Sequence, residues 1–235
     1  MVSGFGAIGA AAPSADGGRR AVSLPDSEPL ILTDRLVLAP VTAADEQELW
    51  ELHRDPEAFV ADTTEPLTHR DQMVWLLRAW QDRADAHGAG YWTLRLPAPA
   101  APLLGVIGLS ALHEAADPTA PLSLYYRLRP DAQGHGYAAE AIRALLADPV
   151  HGPVGRELLV ITDPANLRSL TLASRLGFAP APPSRPVPSP RPRDILLIRP
   201  ASHGMPDPSS SPDQMLHPDP ASTDAQRSAH PGGAR

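Results

Sequence analysis

Six consecutive residues, Gln133-Gly134-His135-Gly136-Tyr137-Ala138, have the makings of a phosphate-binding turn. An alternating apolar run, Leu122 to Leu128, precedes them, and a helical pattern starts at Tyr137. A glycine-containing turn between a strand and a helix gathers backbone N–H groups at the positive end of a helix dipole. That arrangement binds phosphate without any basic side chain. A Cβ at Gly134 or Gly136 would hold a pyrophosphate away from the backbone. The same Gly-x-Gly also serves as a plain tight connection, so these six residues alone leave both roles open. No Lys-Ser/Thr follows, so the turn is not a Walker loop, and Ala139 breaks the dinucleotide pattern Gly-x-Gly-x-x-Gly.

Composition removes several other chemistries. The chain has no cysteine, which excludes disulfides, thiolate metal sites and a cysteine nucleophile. All 20 basic residues are arginine, so Schiff-base and pyridoxal phosphate chemistry lack their lysine. No His/Asp/Glu cluster has metal-ligand spacing, and no metal is expected. A net charge of -7 argues against a nucleic-acid partner, which needs a basic surface to displace counterions. No apolar run approaches the roughly 20 residues of a membrane span. Met1 to Pro13 lacks the basic region of a signal peptide, so residence in the cytoplasm is the default expectation.

The elements that must position the turn can be read from periodicity. Residues 1–29 and 201–235 are rich in Gly, Ala, Ser and Pro without hydrophobic period, and are expected to be disordered tails. Residues 30–200 have the size of one domain. Leu30 to Leu38 reads as a strand broken at Thr33-Asp34-Arg35. Thr42 with Asp45, and Thr68 with Asp71, are spaced as capping boxes opening two helices. Met73, Leu76, Leu77 and Trp80 form one buried stripe on the second helix. Tyr91 to Leu96, Leu103 to Leu112 and Leu122 to Leu128 are strands in hairpin order; the two glycines of the middle one suit a bulge or close packing. Helix Tyr137 to Ala147, strand Glu157 to Thr162, helix Asn166 to Leu176 ended by Gly177, and strand Asp194 to Ile198 complete the pattern. The fold class is therefore α/β (α+β), with a mixed, mostly antiparallel central sheet flanked by helices. Seven prolines between Pro180 and Pro192 make a regular strand there improbable.

With these elements in place, Gln133-x-x-Gly136-x-Ala138 resembles the Gln/Arg-x-x-Gly-x-Gly/Ala motif of the GCN5-related N-acetyltransferase superfamily. Gly134 to Ala141 is similar to the Gly-x-Gly-Tyr-Ala-Thr-Glu-Ala stretch of its ribosomal-protein acetyltransferase branch. Leu32-Thr33-Asp34-Arg35-Leu36-Val37-Leu38 resembles that branch's opening strand, and Asp55-Pro56-Glu57 its first-helix exit. Asn166-x-x-Ser169 with Arg175-Leu176-Gly177-Phe178 resembles the helix after its fifth strand. The matches run in order through nearly all of residues 30–200.

The resemblance implies an acetyl-CoA-dependent N-acetyltransferase, with acetyl-CoA as cosubstrate. The pyrophosphate would lie on the amides of Gln133, Gly134, His135, Gly136, Tyr137 and Ala138. The pantetheine arm would pair with the strand end at Tyr126, Arg127 and Leu128, where a bulge opens the sheet. Asn166 would bond a pantetheine amide, or cap its helix, or both. A backbone amide near Tyr126 would polarise the thioester carbonyl. Two departures from the family stand out. Ser123 occupies the position of the usual glutamate base, and Ala173 that of the usual tyrosine acid. Ser169 is then the candidate proton donor to sulfur, against the alternative of a serine bonded to its own helix backbone. His113 and Glu114 are candidates for a base acting through water, against ordinary solvated loop residues. Glu140 reads as a structural residue in the first turn of its helix. The acceptor would be a primary amine, on a small molecule or a protein N-terminus, and the chain would act as a monomer or homodimer. The alternative is a catalytically weak acetyl-CoA-binding module, and the Pro-rich loop should border the acceptor site.

Overall fold

The computed structural model describes residues 30–60, 64–112, 117 and 119–201. The expected tails, apart from Ala201, and the segment holding His113 and Glu114 lie outside the described residues. Eight strands form one sheet: β1 (Ile31–Leu32), β2 (Val37–Pro40), β3 (Tyr91–Arg95), β4 (Gly105–Ala111), β5 (Leu122–Leu128), β6 (Leu158–Thr162), β7 (Ala179–Pro180) and β8 (Ile195–Arg199). Their order is β1-β2-β3-β4-β5-β6-β8-β7, and among the described residues only the β5–β6 pair is parallel. The helices are α1 (Glu46–Arg54), α2 (Arg70–His87), α3 (Tyr137–Ala147) and α4 (Leu167–Arg175).

The strand alternation sorts side chains into two main cores. Leu122 and Leu124 of β5 pack with Ile142 and Leu145 of α3 and Ala173 of α4. Tyr125 points the other way, among Leu52 of α1, Met73, Leu77 and Trp80 of α2, and Tyr91 of β3. The stripe read from the sequence of α2 is thus buried. A smaller cluster, Leu159, Ile161 and Leu196, takes Val187 of the Pro-rich loop against it. Arg185 pins that loop through a bidentate bond to Glu157, with one arm at 2.8 Å.

Local chemistry decides the element ends. Thr42 and Asp45 form the expected capping box, but it closes a 3₁₀ turn, Ala43–Asp45, directly ahead of α1. The second box is displaced. Gln72, and not Asp71, accepts from the backbone N–H groups of Thr68 and His69 at 2.8 and 2.9 Å. A neutral carboxamide one residue later reaches both donors because α2 begins at Arg70. Close packing explains the glycines of β4. A Cβ on Gly108 would come within 2.3 Å of the Tyr91 ring, so that ring lies flat where a side chain would otherwise stand. The Pro-rich segment retains two residues of strand, since Ala179 and Pro180 pair with Ile198 and Leu197 before the prolines end the ladder.

Candidate active site

The turn is built as a rigid arch. After β5 the chain makes a 3₁₀ turn, Pro130–Ala132, and enters α3 through Gly136. Gly134 and Gly136 both have φ of 81°, a left-handed conformation that side chains resist. Among the described residues, no hydrogen bond engages the amides of Gly134, His135, Gly136, Tyr137, Ala138 or Ala139. Gln133 differs from the expectation, because its N–H already donates to Pro130 O at 3.2 Å. Its side chain works as a staple: Nε2 donates to Leu128 O (3.2 Å), and Oε1 accepts from Arg168 (2.8 Å). His135 is exposed, donates from Nδ1 to Gln133 O (2.9 Å), and stacks on Tyr137.

Arg35 and Glu140 hold the arch from outside. The Arg35 guanidinium bonds Glu140 Oε2 at 2.6 to 2.7 Å and donates to His135 O at 3.1 Å. It also lies 4.9 Å from the Tyr137 ring centroid, over its face. Thr33 and the Arg35 N–H donate to Glu140 Oε1. Partial burial pushes the Glu140 carboxyl up, but the bonds from Thr33 and Arg35 outweigh it and hold the group below the usual glutamate value. The bend between β1 and β2 is therefore the clamp on the turn. Glu140 is structural, as its place in the helix implies, but its partners are 105 and 107 residues away and leave no mark in spacing.

Beside the turn the sheet opens. β5 and β6 pair only at Leu122↔Leu158 and Ser123↔Leu159, and beyond that the strands part. The resemblance implied a bulge at this point. Instead the β4–β5 ladder runs unbroken through seven pairs, and the opening comes from β6 diverging. Leu122 N–H donates to Glu157 O and Arg129 N–H to Leu104 O, both at 2.9 Å, which fixes the phase of β5. By the alternation of an antiparallel ladder, the peptide groups of Leu124, Tyr126 and Leu128 face the gap. Those of Ser123, Tyr125 and Arg127 face β4.

The Arg127 side chain turns away from α3 and α4. Its guanidinium lies 3.4 Å from the Phe59 ring centroid and donates to Ala58 O at 2.8 Å, on the opposite face of the sheet. The Leu128 carbonyl, on the gap side, already accepts from the Gln133 side chain. Tyr126 stays at the gap.

α4 brings Asn166 and Ser169 to the same place. Asn166 Oδ1 accepts from Ser169 N–H at 3.1 Å, the N-cap predicted for it. Among the described residues, nothing takes a bond from its side-chain nitrogen. The Ser169 hydroxyl does not bond the helix backbone. It accepts from the Tyr126 hydroxyl at 2.8 Å. Sequence reasoning placed both residues at the site but missed their pairing, since it read Tyr126 through its backbone alone.

On the α1/α2 face of β5 lies a cavity of about 120 Å³. Its walls include His53, Phe59, Trp80, Tyr91 and Tyr125, and Ser123 lines it too. Trp80 stacks on Tyr91 with centroids 4.1 Å apart. His53 is buried; its Nδ1 lies 2.7 Å from Leu49 O, an acceptor only, so Nδ1 carries the proton. Nε2 must then accept from the Tyr125 hydroxyl at 2.6 Å. Burial, reinforced by the Arg127 charge, pushes the imidazole down to about 3. Burial likewise raises the Tyr91 phenol to about 12, against a bond to Ser110. Ser123 is buried and carries no charge that could replace a glutamate. Neither His53 nor Arg127 was legible as part of this wall, because nothing in their spacing marks them. Leu112 lines the cavity and also packs on the cluster under the Pro-rich loop. Among the described residues, no group of three or more His, Asp or Glu side chains could hold a metal ion, and no helix is long and apolar enough to cross a membrane.

Residues 35–179 match the family described as the acetyltransferase (GNAT) domain. A GnaT-family acetyltransferase from Bordetella pertussis superposes with a TM-score of 0.58 at 26% identity, over 73% of this chain and 99% of that one. A structure described as a ribosomal-protein-serine acetyltransferase from Vibrio cholerae gives 0.55 at 21% identity, over 74% and 98%. The ribosomal L7/L12 α-N-protein acetyltransferase RimL, solved with coenzyme A, gives 0.58 at 15% identity, over 74% and 98%. No curated protein sequence matches the chain. The family match covers more than half of the chain and includes the arch and the parted strands: the chain belongs to the GNAT acetyltransferases.

Proposed function

We propose that this acetyltransferase binds acetyl-CoA along the β5–β6 gap, with the pyrophosphate on the 134–138 amides, and passes the acetyl group to a primary amine. The observation that carries this reading is the junction of two features. A gap edged by strand peptide groups ends at an arch whose amides are unengaged among the described residues. An extended amide-bearing arm with a terminal pyrophosphate has a partner at each point of that path.

Bound acetyl-CoA supplies an acetyl thioester, and the chain supplies three things. The Tyr126 N–H faces the gap and stabilises the oxyanion that forms on the carbonyl. Asn166 holds the arm through its side-chain nitrogen. Ser169 protonates the departing sulfur. The amine, on a small molecule or a protein N-terminus, enters from the aromatic cavity on the α1/α2 face and attacks as the neutral base. His53 is not that base, since its Nε2 is taken by Tyr125 and its proton affinity is suppressed. A residue of the 113–114 segment, or water, takes the amine proton.

The reading is tested by calorimetry with acetyl-CoA together with free-CoA release over a panel of amines and peptides. Expected are saturable binding and release with at least one acceptor class. Ser169→Ala should lower kcat by about 100-fold while leaving acetyl-CoA affinity nearly unchanged. Absence of binding by the wild-type protein would refute the reading; binding without release for any acceptor would leave a binding module.

A further inference from the structure

Ser169 by itself is a poor acid for a thiolate. A thiol ordinarily titrates at about 8.5 and a phenol at about 10, whereas an aliphatic hydroxyl holds its proton far more tightly. The fold couples Ser169 to a phenol. Tyr126, on the gap side of β5, donates its hydroxyl to Ser169 Oγ across 2.8 Å. Ser169 is 2% exposed, so bulk water does not compete for that bond. Thr171, two residues on, ties its hydroxyl to Leu167 O at 2.7 Å, as helical threonines often do. Among the described residues Ser169 makes no such bond. An Oγ that accepts from Tyr126 keeps its own proton for another acceptor, and its backbone is fixed by the Asn166 cap.

We propose that Tyr126 is the proton reserve behind Ser169, a positioning residue that acts on the leaving group only through that serine. The inference rests on the acetyl-transfer reading given above. As the C–S bond breaks, its electron pair goes to sulfur, and sulfur takes the Ser169 Oγ proton. Oγ takes the Tyr126 proton in the same motion, so the charge ends on a phenolate and not on an alkoxide. The phenolate regains a proton from solvent, and the proton shed by the attacking nitrogen leaves through the base of the proposed function to solvent. The products are the amide and CoA thiol.

The experiment is Tyr126→Phe, assayed for kcat, for KM and calorimetric affinity of acetyl-CoA, and for the pH dependence of kcat. A relay predicts a kcat loss of about 10- to 100-fold with acetyl-CoA affinity within about twofold of wild type. It also predicts loss of the alkaline limb, because no phenol is left to ionise. A fluorinated tyrosine at position 126 keeps the ring and hydroxyl but makes the phenol more acidic. It should move that limb to lower pH, and its fluorine resonance should shift on adding CoA and lose that response in Ser169→Ala. Unchanged kcat in Tyr126→Phe, or a limb that ignores fluorination, overturns the relay while leaving acetyl transfer intact. A wild-type protein that fails to bind acetyl-CoA overturns both.

Discussion

Burial of His53 disfavours a charge on its ring, and the Arg127 guanidinium close by makes a second charge costlier still. Its bonds to Leu49 O and the Tyr125 hydroxyl suit the neutral ring with the proton on Nδ1. Its folded pKa of about 3 lies below the ordinary imidazole value of 6.5, so the unfolded chain binds a proton that the fold refuses. Stability from this residue is therefore fully present above about pH 6.5 and is lost as pH falls toward about 3. The slope within that window is about 1.4 kcal/mol per pH unit. The His53 ring resonances should stay those of a neutral imidazole from about pH 7 to about pH 4. A midpoint for His53 near 6.5 would show that the cavity wall is wet and the tautomer wrongly assigned.

At the scale of elements, the β1–β2 bend, β5 and the start of α3 act as one unit. Glu140 is the bolt, with three groups of Thr33 and Arg35 bonded to it. Those bonds hold its folded pKa below 4.5, so the stability they confer is present above that value and lost as pH falls through the folded pKa. Glu140→Gln should cost about 1–2 kcal/mol in urea denaturation near pH 7, after discounting for the half-exposed arginine. The cost should shrink below about pH 4.5, where the wild-type carboxylate is itself becoming protonated. A constant cost across that range would mean that shape, not charge, holds the clamp. This unit also shows what a sequence can and cannot carry. The strand of Leu122–Leu128 and the helix of Tyr137–Ala147 were legible to the residue, because alternation, helical period and glycine are local signals. The clamp, the Tyr126–Ser169 bond and the side to which Arg127 turns depend on strand register and long-range approach, which periodicity does not encode. The Thr68 box failed for a local reason: Gln72 competed with Asp71 for the same donors and won by position.

Across the whole molecule, the two faces of β5 divide the labour. One face, with α3 and α4, gathers the arch, Asn166, Ser169 and Tyr126; the other, with α1 and α2, holds the aromatic cavity. On the proposed function, the donor and the acceptor approach one strand from different directions. The chain carries a net charge of -7 and Arg35 is largely neutralised by Glu140, so the anion site proposed at the arch depends on peptide dipoles. The most direct test of this account is titration of acetyl-CoA into isotope-labelled protein, followed by the backbone amide resonances. The account predicts saturable shifts at Gly134, His135, Gly136, Tyr137, Ala138 and Tyr126, with small changes at Arg127 and Gln133. Binding that leaves the 134–138 amides unmoved, or no binding at all, would contradict it.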